Sequence, residues 1–217
     1  MDFDLGVIVQ SLPFLMQGLG LSLLLTVLAA AGGIVMAVFL ALMRLSGYRA
    51  LSLIAAAYIN FFRSMPLILV IFWFFFLVPL MIGRPVGGFY SALIAFTLFE
   101  AAYYAEIVRA GIQSVSRGQV AAGYATGLGY GQTMRFIVLP QAFRNMTPVL
   151  LTQAIVLFQD TSLVFVVSLR DFMTASTIVA RNEGRLIEMY LFAAAVYFVI
   201  CFAGSLYVRR LQRKFAR

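Results

Sequence analysis

The chain has 217 residues, of which 63% are hydrophobic and 11% are charged, with a formal net charge of +8. A soluble domain carries about 45–50% apolar and about 25% charged residues, so this composition excludes a soluble globular protein and indicates an all-α integral membrane protein. Since the chain contains no histidine and a single cysteine, Cys201, it lacks the side chains of most structural zinc sites, haem sites and disulfide frameworks.

Five stretches are apolar enough to cross a bilayer, which takes about 20 residues of helix. In chain order they cover residues 18–43, 51–83, 89–108, 148–169 and 189–208. Pro66 lies inside the second stretch and predicts a break there, because proline removes a backbone hydrogen bond. Four glycines predict close helix packing: Gly18, Gly20, Gly32 and Gly33. The sequence therefore predicts a single transmembrane domain over residues 1–217.

The basic residues predict the orientation of these five spans. Eleven fall on one side: Arg44, Arg49, Arg109, Arg117, Arg135, Arg144, Arg209, Arg210, Arg213, Lys214 and Arg217. Four basic residues fall on the other side: Arg84, Arg170, Arg181 and Arg185. The acidic residues Asp2 and Asp4 also fall on that side. Because basic loops remain in the cytoplasm, we expect a periplasmic N-terminus and a cytoplasmic C-terminus. The same asymmetry accounts for the net charge, so no nucleic-acid partner is expected.

The longest connection covers about residues 110–146, on the predicted cytoplasmic side. Ser114 or Ser116 can cap a short helix over about 118–126, and a glycine-rich turn follows at 127–131. A second short helix is expected to end at Val138, before Pro140. The pattern by itself fits either an amphipathic surface loop or a docking element.

This connection resembles the EAA motif of permease subunits of ATP-binding-cassette (ABC) importers. That motif reads Glu-Ala-Ala, three residues, Gly, nine residues, Ile-x-Leu-Pro. The matching positions here are Ala121, Ala122, Gly123, Gly127, Ile137, Leu139 and Pro140. Ala121 replaces the Glu of the motif and Gly123 its second Ala, so docking would depend on shape and on neighbours such as Arg117 and Gly118. Small side chains at positions 121–123 would let a partner surface approach the backbone closely.

Further segments look like the polar amino-acid branch of this family, and residues 99–104 and 158–162 look most like glutamate/aspartate permeases. The resemblance implies the type I ABC importer permease fold, in a multi-pass subunit of the bacterial inner membrane. It implies import of glutamate or aspartate, with glutamine, histidine or arginine as the alternative substrates. The implied partners are two copies of an ABC ATPase, a second and homologous permease, and a periplasmic solute-binding protein.

The chain has no Gly-x-x-x-x-Gly-Lys-[Ser/Thr] run, so we expect no bound cofactor and no enzymatic activity of its own. ATP would be used by the partner ATPase. An ion-driven secondary transporter would be larger and internally repeated, and a membrane enzyme would cluster its catalytic side chains. Both alternatives are less favoured by a short chain without repeats and with scattered acidic residues.

Polar residues inside the spans are the candidates for a substrate path, because each intramembrane charge costs about 2.5–3.5 kcal/mol. They are Arg63, Glu100, Gln159, Asp160, Thr161 and Ser162. Arg63 and Asp160 lie at similar depths, so they either pair with each other or Arg63 contacts an anionic substrate or reaches the membrane surface. Glu100 either makes an interhelical hydrogen bond or contacts substrate. Glu106 and Arg109, three residues apart, predict a local ion pair.

Overall fold

The computed structural model describes residues 5–215, which form helices joined by turns. The helices are α1 Leu5–Leu45, α2 Arg49–Arg63, α3 Leu67–Ile82, α4 Gly88–Gln113, α5 Arg117–Ala125, α6 Tyr130–Val167, α7 Phe172–Asn182 and α8 Leu186–Phe215. Helices α1, α4, α6 and α8 are each long and apolar enough to span a bilayer, and α2 and α3 together make a bent fifth candidate. The all-α fold with about five spans is confirmed. Asp2, Asp4 and Arg217 lie outside the described residues, and the orientation stays a prediction.

The break predicted at Pro66 is confirmed. Helix α2 ends at Arg63, where the Ser64 N–H donates to the Asn60 carbonyl over 3.0 Å, and α3 begins at Leu67, directly after the proline. The axes of α2 and α3 differ by 102°. This bend gives the second span its shape and places Arg63 at a corner.

The helix that carries the fourth span begins earlier than the sequence predicts. The short helix expected to end at Val138 instead continues without a break as α6, so that predicted end is wrong, and the start of the span at residue 148 stays a prediction. A π-helical turn over Met134–Val138 lets the Leu139 N–H donate to the Met134 carbonyl, and Pro140 follows where an α-helical stretch starts anew. The same arrangement recurs in α3, where the π turn Trp73–Leu77 precedes Pro79.

Helix α4 is the most enclosed span and packs against α1, α2, α3 and α6. At Gly33 a Cβ atom would lie 3.2 Å from Glu100 Cβ and from the Tyr104 ring, and at Gly32 it would lie 2.9 Å from the Thr97 methyl group. Close packing at these positions is confirmed. It is also confirmed at Gly18 but is wrong for Gly20, where no atom lies within 4 Å of a built Cβ.

Candidate functional site

The predicted cytoplasmic connection is a helical hairpin formed by α5 and the first two turns of α6. Ser116 caps α5 by accepting a hydrogen bond from the Gln119 N–H. Of the two caps that the sequence allowed, Ser116 is therefore confirmed. Gly127 has φ +82° and makes the turn, while the Leu128 N–H donates to the Gly123 carbonyl over 3.2 Å. Only residues 114–116 and 126–129 of the predicted loop are non-helical. We call residues 114–138 the coupling hairpin.

Gly123 faces the interior of the coupling hairpin, which corrects the expectation that it lies on the docking surface. A Cβ atom there would lie 2.7 Å from Ile137 Cδ1 and 3.0 Å from Thr133 Cγ2. The missing side chain therefore lets α5 rest on α6. Ala121 and Ala122 are exposed, as predicted for a docking surface.

The outer face of the coupling hairpin carries unusually large apolar side chains. Tyr124, Tyr130 and Phe136 are 48%, 71% and 62% exposed. The other predicted docking residues are either exposed or half-buried. The exposed ones are Arg117, Gly118, Gly127 and Pro140, and the half-buried ones are Ile137 and Leu139. An exposed aromatic surface on a hairpin is typical of a protein–protein contact.

The base of the coupling hairpin is joined to two spans. The Asn145 side-chain amide of α6 donates to the Ser114 hydroxyl at the end of α4 over 2.8 Å. Val115, Val138 and Ala142 form a small apolar cluster beneath it. A force applied to the hairpin would therefore reach α4 and α6 directly.

Arg63 opens onto a cleft of about 470 Å³ between α2, α4 and α6. Its guanidinium lies 5.4 Å from the centre of the Tyr103 ring, a distance typical of cation–π contacts. Within residues 5–215 no ion pair joins Arg63 to Asp160, so the predicted latch is absent. Arg63 thus contacts α4, whereas Asp160 lies half-buried in α6, where the 3-10 turn begins.

The same cleft contains the predicted Glu106–Arg109 ion pair, which is confirmed. Arg109 Nη2 lies 2.6 Å from Glu106 Oε2, and Arg109 Nε donates to both carboxylate oxygens. Arg109 Nη1 also donates to the Gln113 side chain over 2.7 Å. The carboxylate of Glu106 thus neutralises one of the two arginines in the cleft.

Glu100 is fully buried and makes the predicted interhelical hydrogen bond. Gln153 of α6 donates to Glu100 Oε1 over 3.2 Å. Gln153 lines the Arg63 cleft, while Glu100 lies behind it. In this conformation Glu100 positions a cleft residue and is itself enclosed.

The last four candidates lie where α6 changes from an α-helix to the 3-10 turn Thr161–Val167. Gln159 is exposed, and Thr161 is buried, with its hydroxyl donating to the Phe158 carbonyl over 2.7 Å. Ser162 lines a second cavity, of about 520 Å³, together with Thr174, Thr177 and Arg181 of α7. The six candidates are therefore divided among separate places in the fold.

Sequence reasoning missed Thr174, Thr177 and Arg181 as functional candidates, since Arg181 entered only the charge count. Their spacing of three and four residues on one helix face was the available signal. Nearby, the buried Asp171 caps α7 by accepting from the Met173 and Thr174 N–H groups. Burial raises the pKa of the Asp171 carboxyl, while the hydrogen bonds from Thr174 and Met173 act in the opposite direction.

Comparison with known proteins gives the following similarities. Residues 33–217 match the family described as binding-protein-dependent transport system inner membrane component. The chain is 49% identical to the glutamate/aspartate import permease protein GltK of Escherichia coli O6:H1, across 99% of each protein. It is 31% identical to the arginine transport system permease protein ArtQ of Bacillus subtilis, across 99% of this chain and 98% of that protein.

The fold is similar to a solved crystal structure of an amino acid ABC transporter with histidines. The TM-score is 0.92 at 31% identity, and the match covers 99% of this chain and 100% of that one. The likeness thus extends over the whole bundle, including the coupling hairpin.

Proposed function

Since the chain belongs to the family of binding-protein-dependent transport system inner membrane components, we propose that it imports glutamate and aspartate as a permease subunit of an ABC importer. It is a multi-pass inner-membrane protein with the type I importer permease fold, and its family is one of transport components. The full-length identity of 49% to a glutamate/aspartate import permease is the observation that supports the substrate. Glutamine, histidine and arginine are the alternatives within the same class.

The proposed complex contains two copies of an ABC ATPase, a second and homologous permease, and a periplasmic solute-binding protein. ATP is bound and hydrolysed by the ATPase, and this chain binds no cofactor. The N-terminus is periplasmic and the C-terminus cytoplasmic, a proposal supported by the distribution of basic residues. A reporter fused to the C-terminus is expected to be active only in its cytoplasmic form, and a reporter at the N-terminus only in its external form. Reporters that place both termini on one side would contradict five spans.

The coupling hairpin is the proposed ATPase contact. Its outer face presents Ala121 and Ala122 beside Tyr124, so a partner surface can reach the α5 backbone between small side chains. Closure of the ATPase would push on α5, and the Ser114–Asn145 hydrogen bond would pass that movement to α4 and α6. Rocking of these spans then alternates access to the substrate path.

Arg63, with Gln159, Asp160, Thr161 and Ser162, remains the proposed polar part of that path. Arg63 can hold a carboxylate through two parallel hydrogen bonds, which lysine cannot reproduce. If it does so, Arg63→Lys lowers uptake while the assembled complex keeps its ATPase activity and thermal stability. Loss of stability with unchanged uptake by the folded fraction would make Arg63 a structural residue.

The decisive experiment compares substrates in a reconstituted system. The permeases, the ATPase and the binding protein are placed in vesicles, and ATP-dependent uptake of glutamate, aspartate, glutamine and arginine is measured. We expect uptake of glutamate and aspartate to exceed uptake of the other two. Preference for glutamine or arginine would contradict the substrate and leave the importer class standing.

A further inference from the structure

The cavity beside Ser162 is a polar opening separate from the Arg63 cleft. It lies between the 3-10 turn that ends α6 and the face of α7, and its volume of about 520 Å³ is in the usual range for small-molecule sites. Leu163, Phe165, Met173 and Ile178 form its apolar walls. Its polar atoms come from four side chains: Ser162, Thr174, Thr177 and Arg181.

Arg181 is the one charged residue that lines this cavity. It makes no ion pair with any residue in the range 5–215, where the two ion pairs are Arg109–Glu106 and Arg185–Glu188. Asp171, which caps the start of α7, is occupied by the N–H groups of Met173 and Thr174 and by the Thr174 hydroxyl. Glu183, at the other end of α7, lines a different cavity, together with Arg170. The cavity therefore presents an uncompensated positive charge.

The hydroxyl groups of the cavity differ in what they can still bind. Thr174 donates its proton to Asp171, and Thr177 donates to the Met173 carbonyl over 2.9 Å, so both offer only oxygen lone pairs. Among the described residues Ser162 has no hydrogen-bond acceptor, so its proton is available. Thr174, Thr177 and Arg181 share one face of α7, with about 10 Å of helix rise from first to last. Acceptors thus lie at one end of the cavity and a cation at the other.

We propose that this cavity is a subsite for an acidic amino acid. Arg181 binds the side-chain carboxylate, the Ser162 hydroxyl donates to the α-carboxylate, and the oxygens of Thr174 and Thr177 accept from the ammonium group. The assignment rests on the proposed import of glutamate and aspartate and identifies the residues that distinguish them from neutral amino acids. Glutamine shares the ammonium and the α-carboxylate but lacks the negative charge that Arg181 binds.

The test measures binding to the complete permease–ATPase complex in detergent, without the binding protein, using radiolabelled glutamate and glutamine. Arg181→Gln is expected to raise the Kd for glutamate about 10- to 100-fold, as expected for the loss of a hydrogen bond between charged groups. The Kd for glutamine changes little, so the preference for glutamate falls. Arg181→Lys keeps the charge but not the planar donor pair, and is expected to be intermediate.

Two further variants give the matched controls. Arg170→Gln removes an exposed arginine that precedes α7 and does not line this cavity, so both Kd values stay as in the wild type. Thr177→Val removes an acceptor for the ammonium group and weakens glutamate and glutamine binding equally. Arg181 is exposed, so its replacement leaves assembly of the complex intact.

An unchanged Kd for glutamate in the assembled Arg181→Gln complex would overturn the subsite. An equal loss in Arg170→Gln would also overturn it, because general surface charge would then explain the effect. If the wild-type complex imports basic or neutral amino acids and not acidic ones, the proposed function fails first and the subsite fails with it.

Discussion

The coupling hairpin and the start of α7 share two features, a helix cap and a closely packed glycine, but they differ in how firmly they are attached to the rest of the bundle. Each begins at a capped helix, Ser116 for α5 and Asp171 for α7, and each depends on a glycine for close approach. At α7 that glycine is Gly18 of α1, where a Cβ atom would lie 2.8 Å from the Asp171 carbonyl oxygen. In the hairpin, Gly123 meets only the side-chain atoms of Ile137 and Thr133.

Because of this difference, α7 is fixed in the bundle, whereas the coupling hairpin can adapt its position. Helix α7 is tied to α1 by contacts between backbones and by a hydrogen bond from the Phe172 N–H to the Ser22 hydroxyl, across 150 residues of sequence. The hairpin packs on its own neighbours and leaves an aromatic surface exposed. A fixed α7 suits a substrate cavity, and an adaptable hairpin suits a partner that must push.

The largest effect is expected from Gly18→Val. The new side chain meets the backbone carbonyl of Asp171 and the Ala175 methyl group, which cannot move without displacing α7. Overpacking costs about 1–3 kcal/mol even where side chains relax, so the thermal unfolding temperature in detergent should fall clearly. Gly20→Val in the same helix is the control, since nothing lies within 4 Å of a Cβ there. Equal unfolding temperatures for the two variants would show that α7 is not fixed on α1.

Ser22→Ala is expected to cause the second-largest loss of stability. It leaves the buried Phe172 N–H without its acceptor, which costs about 1–3 kcal/mol. Protection of the Phe172 amide against hydrogen exchange should drop as well. Ser22→Thr keeps the hydroxyl and serves as the comparison; unchanged protection in Ser22→Ala would mean that the bond to α1 does not hold α7.

Gly127→Val tests whether the turn of the coupling hairpin is needed for ATPase binding, because it strains the backbone without creating a side-chain clash. No atom lies within 4 Å of a Cβ at Gly127, so the cost comes from forcing a β-branched residue to φ +82°, about 1–2 kcal/mol. We expect weaker co-purification of the ATPase with normal membrane insertion. Gly131→Val, also in open space but in a helix, should retain the ATPase. Full retention of ATPase and transport in Gly127→Val would exclude the hairpin as the docking element.

Gly123→Ala should have the smallest effect of the four. The added methyl group meets the flexible end of Ile137, which can shift, and the Thr133 side chain at 3.0 Å, which has to move only slightly, so stability falls by less than in Gly18→Val. The double variant Gly123→Ala with Ile137→Val shortens one neighbour and should recover most of the lost thermal unfolding temperature. If the second change gives no recovery, the contact between α5 and α6 is not what Gly123 provides.

Elements that depend on local composition were predictable from the amino-acid sequence. Twenty apolar residues span a bilayer wherever they occur, so the spans and the break at Pro66 followed from the printed residues. The Ser116 cap, the Gly127 turn and the Glu106–Arg109 pair were equally local, because three or four residues on one helix set each of them. The family was recognisable from the EAA spacing for the same reason.

Contacts between residues far apart in the chain became visible only in the folded bundle. Arg63 and Asp160 have similar depths in their spans, yet no ion pair within residues 5–215 joins them, and Arg63 lies against the Tyr103 ring of α4 instead. Glu100 is enclosed because α1 presents Gly33 to it, and Gly123 faces inward because α5 folds back onto Thr133 and Ile137 of α6. Arg181, an ordinary flanking charge in the sequence, lines a cavity because the 3-10 end of α6 lies beside α7. Each of these outcomes depends on the angles between helices. Packing over the whole bundle sets those angles, and a local sequence pattern carries no information about them.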